Sequence, residues 1–492
     1  STLPMKISQL PVVAALLIAV GGDGGDLRAG AVHPCLFVQP DDLQEMQEKV
    51  TTEDWAQQCY ALLKEQVDPV ADRVAEDPDW LTSRLMMNWE THYTLPITRD
   101  AKWIGGEGRA PVPTPRFAGA RDWKVNYRMP PRLEAWTPHN SRGDEIWLLR
   151  VDTGQGEWIH PSRSGRVIES ANNRILDLAA KAAFLYWMTG EERYAKVAVP
   201  VLWTYMEGFS HVMAPQLDDP ASRFRDPIGM TSFEVIHEDP VNLLSQCYDF
   251  TYHELVRQGK DPAVIQAGFK RIIDRIIEGG ERDSNWNLFQ AKKIAYGGLV
   301  LESNDRYEDG KGREYYIDVV LNADLPNQLG LKKVIERGYD PVTALWPEAP
   351  GYGFNTTANI VEVASLLSRT EEGRELLADP ILERAVLAQA ELIHPNGLSI
   401  GLGDTTNVKI HAPSIELLIA AAREFGHEEV EKRLSSVLKR ESRAGRYTRS
   451  RQATVQALTG YIAELQNVPS LEERGRTYYG RPLDVLMMRL PA

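Results

Sequence analysis

The sequence predicts an all-α protein built as an array of helical hairpins, and three observations carry that prediction. From about residue 169 onward, apolar residues recur at helical spacing; the runs are joined by short connections; and period-2 alternation is almost absent before about residue 470. Of 492 residues, 43% are hydrophobic and 25% charged, enough for one large core or two to three ordinary domains. No repeat of fixed length stands out, so a consensus solenoid is not expected.

The elements follow in chain order. Met5-Lys6, the apolar run Leu10 to Val20 and the glycine-rich stretch after it have the layout of a secretory leader over residues 1–30. That run is too short for a membrane span, and the reading implies a secreted or periplasmic protein. Asp41 or Asp42 caps a helix running to about Gln66, with Leu43, Met46, Val50, Trp55, Tyr60 and Leu63 on its apolar side. Residues 80–165 differ: they are rich in Trp, Pro, Gly and Arg, with little periodicity. A stretch of this kind wraps a core or serves function. Its rings and guanidinium groups, among them His92, His139 and Arg142, suit an acidic sugar surface.

Regular helices are expected at 172–188, ending on Thr189-Gly190, and at 191–205. Further helices are expected at 232–257, 262–279, 286–301 and 314–337. The stretch Trp346 to Asn355 then packs Trp, Glu, Tyr, two Pro and two Gly into ten residues, which predicts a rigid, shaped loop. Helices at 355–369, 371–378, 380–394, 412–425, 427–440 and 450–466 complete the array, leaving 467–492 as a tail.

Net charge is −14 and the isoelectric point is near 5.3, which argues against a general nucleic-acid binder or an anionic-membrane binder. A local basic cleft for an anionic substrate remains compatible with that balance. Cys35, Cys59 and Cys247 match no zinc, redox or disulfide pattern. No His, Cys, Asp and Glu set has metal-ligand spacing, and no nucleophile elbow, phosphate loop or dinucleotide fingerprint is present, so neither metal nor cofactor is expected.

Three constellations remain. Asp283-Ser284-Asn285-Trp286-Asn287 with Gln290 opens a helix, whose free N–H groups and dipole suit a carboxylate. His237 leads into a helix carrying Gln246 and Asp249 on one face. Gly401 to Asn407 is a polar glycine loop ahead of His411.

Together these segments resemble the heparinase II/III-type polysaccharide lyases, including alginate and related uronate lyases. The resemblance rests on His33-Pro34 with Asp41-Asp42-Leu43, Asn172 through Tyr194, Ser284-Asn285-Trp286-Asn287, Trp346-Pro347-Glu348 with Pro350-Gly351-Tyr352, and Gly403-Asp404-Thr405. It implies an (α/α) toroid, an incomplete barrel of helical hairpins over residues 33–466. It also implies a C-terminal β-sandwich, absent or truncated here and begun at most near Thr477. The implied chemistry is β-elimination at a uronic acid of an anionic polysaccharide or oligosaccharide. It requires neutralising the C6 carboxylate, removing the C5 proton and protonating the leaving O4.

By the same resemblance Asn285 binds the carboxylate and Tyr352 is the acid, or both acid and base. Trp286 stands where many alginate-type members have His, so His237 is the substitute base. Trp286, Asn287, Gln290, Trp346, Glu348, His139 and Arg142 are the expected substrate contacts. Two rival readings are a toroid glycoside hydrolase pairing Glu348 with Asp283 or Asp404, and a glycan-binding toroid without catalysis.

Overall fold

Helix pairs in chain order build this fold, and the computed structural model describes residues 32–82, 103–105, 146–159, 167–209, 240–403, 407–469 and 477–488. After a short 3-10 turn come α1 (Leu43–Thr52), α2 (Asp54–Glu76) and α3 (Asp79–Thr82). The single helix expected to Gln66 is therefore broken at Glu53, whose backbone is extended (ψ 113°), resumes at Asp54 and ends at Glu76, ten residues further than expected. The strands β1 (Trp103–Gly105), β2 (Ile146–Arg150) and β3 (Gly156–Ile159) form an antiparallel sheet with Trp147 opposite Trp158. Period-2 reasoning missed this sheet because Ile146-Trp147-Leu148-Leu149 is an apolar run without alternation.

Next come α4 (Val167–Thr189), α5 (Glu192–Phe209), α6 (Pro240–Arg257), α7 (Pro262–Glu278), α8 (Trp286–Leu299) and α9 (Arg313–Asn322). The hairpin β4 (Asp324–Leu325) and β5 (Gln328–Leu329) and the helix α10 (Leu331–Gly338) replace the second half of the helix expected over 314–337. Pro326 supplies no N–H and pre-sets a turn, so the helix cannot run through it. Then come α11 (Pro350–Leu367), α12 (Glu371–Leu377), α13 (Pro380–Glu391), α14 (Ala412–Glu424), α15 (Glu428–Arg443) and α16 (Val455–Gly460). Last, β6 (Thr477–Gly480) pairs with β7 (Val485–Met488) in a hairpin.

Starts and stops have local causes. Asp261 and Asp379 accept the backbone N–H of Ala263 and Ile381, each ahead of a proline at the first helical position. Gly190, with φ of 70°, ends α4 as expected.

The architecture is a toroid of helices. α4, α6, α8, α11 and α14 pack in succession as an inner wall, and α1 and α16 fill the remaining interval between α14 and α4. α5, α7, α9, α13 and α15 pack outside their partners. The inner helices run parallel, because the C-terminal half of each meets the segment 33–49; Arg423 and Glu424 of α14 line one groove with Leu36 and Glu45. Asp249 of α6 accepts the backbone N–H of Leu36 at 2.9 Å, and Leu299 O of α8 accepts Cys35 Sγ at 3.5 Å. Arg369, just after α11, donates to Phe37 O at 2.9 Å. Met188 O of α4 accepts from Gln47 at 2.8 Å, and Leu458 O of α16 from Lys49 at 2.7 Å. The N-terminal ends of the inner helices therefore share the opposite rim.

The core lies between the inner and outer helices. Leu288, Ala291, Ile294 and Ala295 of α8 are buried, and each fully buried Leu or Ile contributes about 1.5–3 kcal/mol. A Cβ on Gly298 would stand 2.7 Å from the Cβ of Tyr316, so glycine is what lets α8 approach α9. Among the described residues, no helix is long and apolar enough to cross a membrane.

Candidate active site at the N-terminal rim of the ring

The stretch 346–355 is a loop only as far as Ala349. Pro350 takes the first position of α11, so Gly351 to Asn355 form its first turns rather than the expected loop. The loop before them is braced. Asp340 accepts the Thr343 N–H and hydroxyl at 2.8 and 2.7 Å. Trp346 lies edge-to-face on Tyr339 at 5.4 Å and presses against Gly338, where a Cβ would be 2.0 Å from the indole. The Trp346 indole N–H donates to Glu348 Oε2 at 2.5 Å. Trp346 and Glu348, both expected to touch substrate, thus spend these groups on each other. Gly403, with φ of 72°, places its α-carbon over Ala349, bringing the polar glycine loop to the start of α11.

Tyr352 stands on the first turn of α11 with 39% of its surface exposed, an unusual degree for a tyrosine on an inner helix. Its hydroxyl has no hydrogen-bond partner among the described residues. On α8, Asn285 occupies the N-cap position, half-buried, without using its side chain as a cap. Trp286 beside it packs partly buried against the core.

Asn285 and Tyr352 lie at matching heights. Lys292 and Tyr296 of α8 both bond Glu362 of α11, at 2.6 and 3.0 Å. Counting back along two parallel helices from that shared contact brings Asn285 level with Tyr352.

Asn287 and Gln290 differ from expectation. Both are buried, at 1% and 0% exposure. Asn287 exchanges two 2.8 Å bonds with the Leu329 backbone, and Gln290 bonds Asn327 O, Gln328 and the Glu281 N–H. They pin the β4–β5 hairpin under α8 and present nothing to a ligand. Helical spacing could not separate them from Asn285, because which face is covered depends on the distant hairpin. His237, His139 and Arg142, like His92 and Asp404, lie outside the described residues. His237 is three residues before Pro240, the start of α6.

Residues that sequence reasoning passed over complete the wall. Besides Asn285 and Tyr352, Phe289 and Lys292 on α8 and Asn355 and Glu362 on α11 are open or half-open, as are Trp286, Gly351 and Ser365. Asn285, Phe289 and Lys292 fall at spacings of four and three, and Tyr352, Asn355 and Glu362 at three and seven, which makes one stripe on each helix. His411 stands at the N-cap of α14, where its Nδ1 accepts the Ser414 backbone N–H at 3.3 Å. It is open to solvent, and desolvation by surrounding protein lowers its pKa. Glu362 opposes that shift and Lys292 adds to it.

The two rims differ in electrostatic character. Three helix N-termini, of α8, α11 and α14, offer unsatisfied N–H groups and positive dipole ends at the rim of Tyr352. At the other rim a groove of about 580 Å³ is lined by Glu45, Glu48, Glu53 and Glu424. Its cations are engaged: Lys49 by carbonyls of α16, Arg369 by Phe37 O and Arg423 by Glu431. That groove has the wrong sign for a polyanion.

No family model matches the chain. Over 207 residues it is 26% identical to an endo-acting ulvan lyase of Formosa agariphila, a match covering 38% of this chain and 23% of that protein. The matched region thus spans about a quarter of that relative. Among solved structures, an alginate lyase from Bacteroides ovatus superposes with a TM-score of 0.44 at 12% identity, covering 87% of this chain and 99% of that one.

Proposed function

We propose that the chain is a polysaccharide lyase that cleaves a uronic-acid-containing polysaccharide by β-elimination. The supporting observation is the pair Asn285 and Tyr352. Both are open and unengaged at one height on neighbouring parallel helices, at a rim of helix N-termini. The similarity to an endo-acting ulvan lyase supports the reaction class and makes ulvan the first substrate to try.

The Asn285 amide and the α8 N-terminus hold the C6 carboxylate, which makes the C5 proton acidic. A base, His237 in this reading, takes that proton. The C5–H electrons form the C4–C5 double bond as the C4–O4 bond breaks, and the Tyr352 hydroxyl gives its proton to O4. Asn355, three residues along the same stripe, contacts the sugar hydroxyls. The leader-like residues 1–30 and a substrate too large to cross a membrane support export. The hydrolase reading is weaker, because Glu348 already holds the Trp346 indole.

The test is an absorbance screen for the unsaturated product against ulvan, alginate and glycosaminoglycans. At least one polymer should give a rising enoate band, and Tyr352→Phe should abolish it while the protein still binds that polymer. Silence on every polymer refutes the lyase reading. Loss of activity in Glu348→Gln, with new reducing ends but no enoate from the unmodified protein, establishes the hydrolase instead.

A further inference from the structure

At the other end of the inner helices, three side chains with metal-binding donors meet although they lie far apart in the sequence. His33 and Cys35 belong to the segment that crosses the C-terminal rim. Asp249 stands on α6, 214 residues beyond Cys35, so spacing along the chain could not reveal the set. Asp249 Oδ1 lies 2.7 Å from His33 Nδ1 and 3.3 Å from Cys35 Sγ, and Sγ lies 3.8 Å from Nδ1. The carbonyl oxygen of Leu299, the last residue of α8, is 3.5 Å from Sγ and offers a fourth donor. Among the described residues no other three His, Cys, Asp or Glu side chains converge in this way.

A thiol, an imidazole, a carboxylate and a carbonyl suit zinc better than the hard cations, which take oxygen donors alone. With bonds of about 2.0–2.3 Å, a tetrahedral zinc keeps its ligands about 3.3–3.6 Å apart. The two distances to Sγ are close to that range, and the His33–Asp249 contact has to open by about half an ångström. The donors are held in place. Asp249 is 1% exposed and accepts the backbone N–H groups of Cys35 and Leu36, each at 2.9 Å, which fixes its carboxylate. His33 is fully buried and stacks on Tyr252 at 4.3 Å, with Nδ1 as the nitrogen that faces the cluster. The ion replaces the thiol proton, which passes to solvent, and the imidazole keeps its proton on Nε2. Thiolate and carboxylate together balance a divalent cation, so the loaded cluster is neutral, as a buried place requires. Cys35 is half-buried, which gives the ion a way in.

We propose that His33, Cys35 and Asp249 form a structural zinc site, with the Leu299 carbonyl as the fourth ligand. The ion ties the N-terminal segment to α6 and to the end of α8. Leu299 is fourteen residues, about 21 Å, along α8 from Asn285, so the ion acts on stability and not on the elimination step. The site stands independently of the lyase reading.

The test uses the full chain, stripped by a chelator in the presence of a non-thiol reductant and then given zinc or cobalt(II). The parent should take up one more equivalent of zinc than Cys35→Ser, a variant that keeps the size and polarity of the side chain. Cobalt should produce a thiolate-to-metal charge-transfer band in the near ultraviolet. That band should be absent from Cys35→Ser and present in Cys59→Ser, whose thiol lies against Arg449 O instead. Zinc at about a thousand times its Kd should raise the melting temperature of the parent by several degrees and leave that of Cys35→Ser nearly unchanged. His33→Gln should lose the same equivalent of zinc while retaining all three thiols. Equal zinc uptake by the parent and Cys35→Ser, none included, overturns the site, as does a cobalt spectrum without the thiolate band.

Discussion

Two asparagines two positions apart, Asn285 and Asn287, do different work. Asn287 is bonded on both sides to the Leu329 backbone in a dry place, whereas Asn285 is half-open and bonds nothing with its side chain as a cap. Truncating Asn287 strands a buried N–H and a buried carbonyl, which costs roughly 1–3 kcal/mol each. Asn287→Ala should therefore lower the melting temperature by several degrees, with activity falling mainly through loss of folded protein. Asn285→Ala should melt within a degree or two of the parent and lose on the order of a hundredfold in kcat/KM, as for a lost oxyanion donor. Thermal melts alongside enoate rates separate the two. A stability loss in Asn285→Ala as large as in Asn287→Ala would remove Asn285 from the site.

At the scale of elements, the start of α11 depends on the turn before it. Pro350 is suited to the first helical position, and a Cβ on Gly353 would meet the Trp346 Cβ at 3.5 Å, an ordinary contact. Gly338 at the end of α10 is tighter still. Gly338→Ala should push the indole out of its seat, costing roughly 1–3 kcal/mol as an overpacked site does, and break the Trp346–Glu348 bond. The readouts are a red-shifted tryptophan emission and a fall in activity, because Tyr352 follows six residues later. Unchanged emission and rate would mean that the loop does not position Tyr352. Pro and Gly signalled a shaped segment here, but not that its second half is helical, since the same residues also open helices.

At the scale of the molecule, the ring closes through α1, α14 and α16. Buried Glu416 of α14 accepts the Tyr447 hydroxyl at 2.8 Å and Arg449 at 3.1 Å, and Arg449 lies over the Trp55 ring at 4.0 Å. Lys49 of α1 donates to Leu458 O and Tyr461 O. Burial, then Arg449, lower the Lys49 pKa from 10.5 to about 8, against the opposing pull of Glu45, Glu416 and Glu53. The unfolded chain holds that proton up to the ordinary value, so between about pH 8 and 10.5 the unfolded state binds more protons. The contribution of Lys49 is then complete above the ordinary pKa and is lost as pH falls through about 8. Relative to Lys49→Met, the parent should gain roughly 1–3 kcal/mol across that window and show a constant difference below it. Urea midpoints at stepped pH measure this, and a flat difference would show that Lys49 stays charged at the seam.

The all-α class, the helix pairs after residue 169 and the helix start at Trp286 were legible in the sequence, because periodicity, caps and helix breakers act over a few residues. Four things needed the tertiary structure: the sheet of β1 to β3, the division of α9 from α10 by the β4–β5 hairpin, the burial of Asn287 and Gln290, and the meeting of Lys292 with Glu362. Each depends on which surfaces lie against one another across tens or hundreds of residues. Composition and periodicity mark which face of a helix is apolar. Only the closed ring decides which polar positions stay open to its interior.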